Sequence, residues 1–316
     1  VKCPPTPSPL TPVSDVIYQR YTVGGGDGPL MNMYTVDVPA GTQSITVRCI
    51  GGGAGGGASF GEIFQFDCDG TDKAQIVSAG GGGGGGRVGE VHRPWAPGFP
   101  TQLNIEVGYA SATPSDPVTG VGADGEDSIA TFSPFCPGFE EVRAIGGKGG
   151  NPGMSVSPTS GIAGGGGDGG NGGGGGGGGV YTCGGMAFPF PFAVGGQGLD
   201  RDKGDDGDLS VGGDGGLNAN SGSSGISVVG IEFGGGGGGA AGVVDPDSGG
   251  LGGPPGDLCT SNAGGDYRIQ DTGAAGAGAG IYCPLLAEVG TTVFAPGGRG
   301  SHGRAEVWFY VYKIPS

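Results

Sequence analysis

Basic residues are scarce in this chain: 14 Lys and Arg stand against 30 Asp and Glu, a formal net charge of -16. Such an acidic chain lacks the electrostatic footprint of a nucleic-acid binder, so nucleic acid is not expected as a partner. No apolar run approaches the roughly 18 residues that a membrane-crossing helix requires, and membrane insertion is not expected. The seven cysteines form no CxxC pair and only two histidines, His92 and His302, accompany them, which argues against zinc. There is no N-x-[ST] acceptor for N-glycosylation. Helical periodicity is missing throughout.

What fills the chain is glycine, 84 of 316 residues, with unbroken runs at Gly80 to Gly86, Gly172 to Gly179 and Gly234 to Gly239. Ordering a glycine backbone costs about 1 to 2 kcal/mol per residue and returns no side-chain burial. Such runs become ordered only if their own peptide groups hold them. Extended three-fold helices of the polyproline II type, packed side by side through N–H to O=C and Cα–H to O=C contacts, do this. A scaffold of that kind serves shape rather than chemistry.

Around the glycine lie apolar stretches bounded by Gly or Pro. Asp15 to Val23 reads as a strand, with Ile17, Tyr21 and Val23 on one face. Two runs flank a Pro39-Ala40-Gly41 turn, and the second feeds directly into the glycines at Gly51 to Gly57. Further strands are expected at Gly61 to Cys68, Gln75 to Ala79, Leu103 to Ala110, Ser128 to Phe132, Glu141 to Ile145, Ile226 to Phe233 and Ala305 to Lys313. Strands cluster before residue 146 and after 305. The expected fold is all-β with essentially no α-helix: a jelly-roll-like β-sandwich carrying a polyglycine II helix lattice inserted at about 146–304. Ahead of it, Pro4, Pro5, Pro7, Pro9 and Pro12 make a stiff arm. We therefore divide the chain into a proline-rich arm with a candidate exchanged strand, 1–23, and one glycine-rich domain, 24–316.

Candidate special residues are few. In an acidic, oxidising-compartment setting Cys49, Cys68, Cys136, Cys183, Cys259 and Cys283 are disulfide candidates, with buried free thiols as the other reading. The odd count leaves Cys3 for an intersubunit bond. Asp200, Asp202, Asp205, Asp206 and Asp208 offer hard oxygen ligands on flexible backbone that suit calcium, the one cofactor considered. Their spacing misses the EF-hand pattern, and a solvated acidic loop explains them as well. Two aromatic-proline loops carry Trp95 and Phe99, and Phe188, Phe190 and Phe192. They either cap the lattice or form a contact surface. Gly57-Ala58-Ser59-Phe60-Gly61 matches the GxSxG nucleophile elbow, but with glycine this frequent one chance match is expected. No enzymatic activity is expected.

The order VPAGTQSITVRCIGGGAGGG, GGGGGGRVGE, LNIEVGYA, GADGEDSIATF, GGKGGNPG and GGRGSHGRAEVWFYVY, over roughly residues 30–313, resembles the glycine-rich domain of phage tail-fibre and bacterial surface proteins. The resemblance implies a β-sandwich with polyglycine helices, and in tail-fibre adhesins the loops joining those helices bind host receptors. The chain departs from the pattern in its seven cysteines and its proline-rich arm. Together these features favour a non-enzymatic extracellular structural subunit whose partners are copies of itself. It would polymerise by adding its N-terminal strand, through Ile17, Tyr18, Tyr21 and Val23, to a neighbour's sheet. The alternative is an adhesin on a virion surface, contacting a cell-surface receptor or glycan.

Overall fold

The computed structural model describes residues 15–24, 32–68, 71–96, 98–110, 119–134, 141–157, 160–173, 175–176, 180–183, 186–189, 195–199, 203, 226–228, 231–233, 236–240, 249–252, 261–262, 264–266, 272–281, 289–290 and 292–312. Their regular structure is entirely antiparallel strand, so the fold is all-β.

Two four-stranded sheets face each other. One has the order β1 (Asp15–Thr22), β19 (Arg304–Val311), β3 (Thr42–Ile50), β6 (Val88–Pro94), and the other β2 (Met33–Asp37), β7 (Gln102–Glu106), β8 (Ser128–Ser133), β9 (Val142–Ala144). Alternation along each strand sends one side inward. Ile45, Val47 and Cys49 from β3 and Ala305, Val307 and Phe309 from β19 meet Leu103, Ile105, Ala130, Phe132, Val142 and Ala144 of the opposite sheet in one core. The Pro39–Gly41 turn is a corner between the two sheets, tightened by Thr42 Oγ1 donating to the Pro39 carbonyl at 2.7 Å, with Gly41 at φ +83°. Residues 95–96 and 98–101 belong to a second crossing at the same end, where the Trp95 N–H donates to the Gln43 carbonyl at 2.6 Å.

From the opposite end of this sandwich the chain runs out as glycine segments and returns. The segment 51–58 shows the pattern. Gly51, Ala54 and Gly57 donate their N–H groups to the carbonyls of Arg87, Gly84 and Gly81; Gly52, Gly55 and Ala58 donate to Glu126, Ala123 and Gly120; Gly53 and Gly56 donate to Ser301 and Gly298, all at 2.8 to 3.1 Å. Every third residue thus addresses the same neighbouring segment. In return, Gly147, Gly150 and Gly153 donate to Gly52, Gly55 and Ala58, and Gly276 and Ala279 to Ala54 and Gly57. Three neighbours run antiparallel and two parallel, alternating outward and homeward passes. The lattice therefore begins at residue 51, well before 146, because the early runs are woven among the later ones.

At the far side the segments turn through strands: β4 (Ser59–Cys68), β5 (Thr71–Ser78), β12 (Val180–Cys183), β13 (Met186–Pro189) and β18 (Thr292–Ala295) form a five-stranded sheet. Three two-stranded pairs accompany it: the hairpins β10 (Met154–Ser157) with β11 (Ser160–Ile162) and β14 (Ile226–Val228) with β15 (Ile231–Phe233), and β16 (Ser261–Asn262) with β17 (Gly280–Ile281), which lie on either side of lattice segments in the sequence. The single strand expected over Ile226 to Phe233 is the β14–β15 hairpin instead. The proline-bearing β13 is tolerated at a sheet edge, where a missing N–H breaks no inner ladder.

Glycine is obligatory in this packing. A Cβ at Gly53 would lie 1.8 Å from the Ala274 carbonyl oxygen, and one at Gly149 1.6 Å from that of Gly122. Alanine occurs where a methyl has room, at the fully buried Ala54, Ala58, Ala274, Ala275, Ala277 and Ala279. Gly53→Ala and Gly149→Ala should each cost at least about 3 kcal/mol, since backbone and not a side-chain tip must move, whereas Ala277→Gly should cost about 1 kcal/mol. Denaturant unfolding of the three variants checks this ordering.

Cys49 corrects one disulfide expectation. It carries a free thiol, buried on the inward face of β3 with no cysteine opposite, and burial pushes its pKa up to about 12. The backbones of Cys68 and Cys183 lie on β4 and β12, while Cys3, Cys136, Cys259 and Cys283 lie outside the described residues. Iodoacetamide should leave Cys49 unmodified in the native protein and label it only after unfolding. Mass mapping of the Cys49 peptide decides; native labelling would contradict this burial.

Candidate functional site

The residues expected to make subunit contacts converge on one structural feature, the edge strand β1. Within one chain they meet the chain's own sheet, not a neighbour's. Asp15 to Thr22 pair in unbroken antiparallel register with Val311 to Arg304 of β19. Among the described residues β1 is the edge strand of its sheet, with β19 on one side and no second strand partner. Its first four residues are exposed: Val16, Ile17 and Tyr18 stand at 47%, 37% and 49% accessibility. Burial deepens only toward the far end, where Tyr21 packs against the core and Val23 enters it.

On the inward side, Ile17 lies opposite Phe309 and Tyr21 opposite Ala305. The Tyr21 ring packs on Tyr34, centroids 5.1 Å apart, while the Tyr34 hydroxyl donates to the Thr22 carbonyl. On the outward side, Tyr18 lies opposite Trp308 with ring centroids 5.3 Å apart, and its hydroxyl donates to Glu306 Oε1 at 3.1 Å. Glu306 is largely buried and is held by Arg304 at 3.3 Å and Arg48 at 3.5 Å. Arg48 also pairs with Glu90 at 2.6 Å and stacks 5.3 Å from the Trp308 centroid. Tyr18 therefore lies half-exposed over a polar and aromatic surface made by Glu306 and Trp308 of β19 and Arg48 of β3. Sequence reasoning passed over Arg48, Glu306 and Trp308; their signal was the polar-apolar alternation of Arg304 to Val311, whose outward members sit beside those of β3.

Trp95 and Phe99 are corrected from contact-loop residues to core residues. Both are buried, in edge-to-face contact with each other at 5.7 Å, and Trp95 packs on Phe132 at 5.7 Å. The crossing they occupy folds inward because it closes the end of the sandwich. Phe188 lies on the edge strand β13, opposite Tyr181; Phe190 and Phe192 lie outside the described residues. So do Asp200, Asp202, Asp205, Asp206 and Asp208. Ser59 is fully buried at the start of β4, in the ladder opposite Ala295. Among the described residues no three His, Cys, Asp or Glu side chains group as metal ligands. No helix among the described residues is long and apolar enough to cross a membrane.

The carboxylates that do find a role were not anticipated. Asp124 Oδ1 accepts from the Gly149 N–H at 2.9 Å, Asp127 Oδ1 from Gly146 at 3.0 Å, Asp168 Oδ1 from Gln197 at 2.6 Å and Asp266 Oδ1 from Arg299 at 2.7 Å. They cap lattice N–H groups. Asp124 also holds Lys148 at 2.5 Å, and this hydrogen bond raises the lysine pKa.

No protein-family model matches the chain, and no curated protein matches it.

Burial first, and then the Glu306 charge, raise the Tyr18 phenol above its ordinary 10.0; burial also raises Tyr21. The folded state holds these protons more tightly than the unfolded chain. Their contribution is complete below about pH 10 and is lost as pH rises through the folded values. The melting temperature should therefore fall more between about pH 9 and pH 11 in the native sequence than in a Tyr18→Phe/Tyr21→Phe variant. Equal slopes would assign the alkaline loss elsewhere.

Proposed function

We propose that this chain is a non-enzymatic extracellular structural protein, the subunit of a homopolymeric filament assembled by exchange of its N-terminal strand. The observation that carries this reading is β1 itself. It is the first strand of the described residues, lies on a sheet edge bonded among those residues to β19 alone, and has its first half exposed and its contact surface formed by other parts of the chain. Gly24, Gly25, Gly26 and Gly28 separate it from β2, a composition that permits a hinge. A strand held on one edge and joined through glycines is suited to being traded for its counterpart on another copy, since the exchanged contacts are identical to the intrachain ones. Head-to-tail exchange yields an open filament because the donor and the contact surface that receives it are different surfaces.

The glycine segments fit this role as a rigid spacer of polyglycine II helices. Their three-residue hydrogen-bond step supports that assignment, since three residues per turn is its defining symmetry. An eight-residue segment such as 51–58 would span about 25 Å at about 3.1 Å per residue. The resemblance to tail-fibre glycine domains agrees with the scaffold.

Deleting residues 1–23 should abolish filaments in electron micrographs, and adding a separate peptide of residues 1–24 should bind the truncated protein and raise its melting temperature. Filaments of normal form from the truncated chain would overturn the mechanism. Peptide rescue keeps the test decisive if the truncated chain is unstable.

A further inference from the structure

A cleft of about 490 Å³ opens at the end of the sandwich, lined by Pro39, Trp95, Phe99, Pro100 and Tyr312 among others. Both crossings between the sheets border it. Its wall and the start of β1 are neighbours: Asp15 pairs with Val311, Val311 pairs with Thr42, and the Tyr312 N–H donates to the Gly41 carbonyl at 3.0 Å. Thr42, Gly41 and Tyr312 all line the cleft. Asp15 therefore lies one strand away from the cleft mouth, and the sequence shortly before it is Pro4 to Pro12, with five prolines in nine residues.

We infer that this cleft is the docking site for the proline-rich arm, residues 4–12, of whichever copy places its β1 on β19. The inference rests on the strand-exchange reading for which copy that is, but not for the contact itself. Chemistry matches the two. A proline-rich segment favours an extended polyproline II form with little conformational entropy to lose, and grooves walled by aromatic rings and prolines receive such segments. In that form the arm extends by about 3.1 Å per residue. Trp95 and Phe99 line it while remaining largely buried, and the more exposed Tyr312, at 37%, offers a ring and a hydroxyl to the arm's proline faces and carbonyls. The arm then extends the β1 joint past the last strand pair, along the end of the sandwich opposite the lattice.

The test replaces Tyr312 with the photoreactive benzoylphenylalanine in the full chain and assembles an equal mixture of light and nitrogen-15-labelled subunits. After irradiation and tryptic digestion, fragment sequencing should localise the cross-link to residues 4–12 within the 3–20 peptide, in light-heavy pairs. Cross-links to 4–12 that are only light-light and heavy-heavy would uphold the cleft contact and overturn strand exchange. Filaments whose cross-links avoid residues 4–12, or a yield unchanged when Pro4, Pro5, Pro7, Pro9 and Pro12 are all changed to Ser, would overturn arm docking while leaving strand exchange standing.

Discussion

Hydrogen bonds between neighbouring glycine segments, repeated at every third residue, are the constraint on which the rest of this molecule depends. A backbone hydrogen bond contributes about 0.5 to 1.5 kcal/mol net, while ordering a residue costs about 1 to 2 kcal/mol, so a bonded glycine roughly balances and an unbonded one is a loss. The lattice can exist only if almost every N–H is used, and the neighbours must approach until no Cβ fits between them. Gly53 against Ala274 and Gly149 against Gly122 are this close approach seen from two sides. Contacts of Cα–H with the facing carbonyls add a smaller favourable contribution of about 0.5 to 1 kcal/mol each.

A lattice so balanced needs its ends fixed, which explains the division of labour around it. The sandwich, with Phe309, Ile45, Leu103 and Ile105 fully buried, supplies hydrophobic stabilisation at one end. The five-stranded sheet and hairpins reverse the chain at the other. Asp124, Asp127, Asp168 and Asp266 accept the N–H groups of Gly149, Gly146, Gln197 and Arg299 in place of a neighbouring segment's carbonyl. Part of the acidic excess thus has a structural use, since a carboxylate is acceptor-only and answers a bare donor well.

The all-β class and most sandwich strands were legible because alternation and β-branched residues mark them plainly, as in Thr42–Ile50 and Arg304–Val311. Val88–Pro94 was less so, since Gly89 and Pro94 interrupt its pattern although Arg143 packs over Gly89 and needs that gap. The short strands β10 to β17 carry almost no periodic signal; pairing at the ends of glycine segments defines them. Of the candidate site, Ile17, Tyr18, Tyr21 and Val23 were visible as an apolar strand, but their contact surface was not, because Arg48, Glu306 and Trp308 come together only when β3 and β19 pair. Trp95 and Phe99 were misread because proline beside an aromatic suggests an exposed loop, whereas this loop turns over the end of the core.

Composition and local pattern by themselves determined that the chain is an all-β protein with a glycine scaffold. No helix period was present, and glycine runs offer only backbone to hold them. Tertiary structure alone decided which segments neighbour one another, because identical glycines carry no addressing information; register comes from the strands and turns at their ends. It also decided that Cys49 is a buried thiol rather than half of a bridge, and that β1 lies on an edge with one partner among the described residues. Those are consequences of which faces meet, and facing is set by the pairing of distant strands, which no stretch of sequence contains.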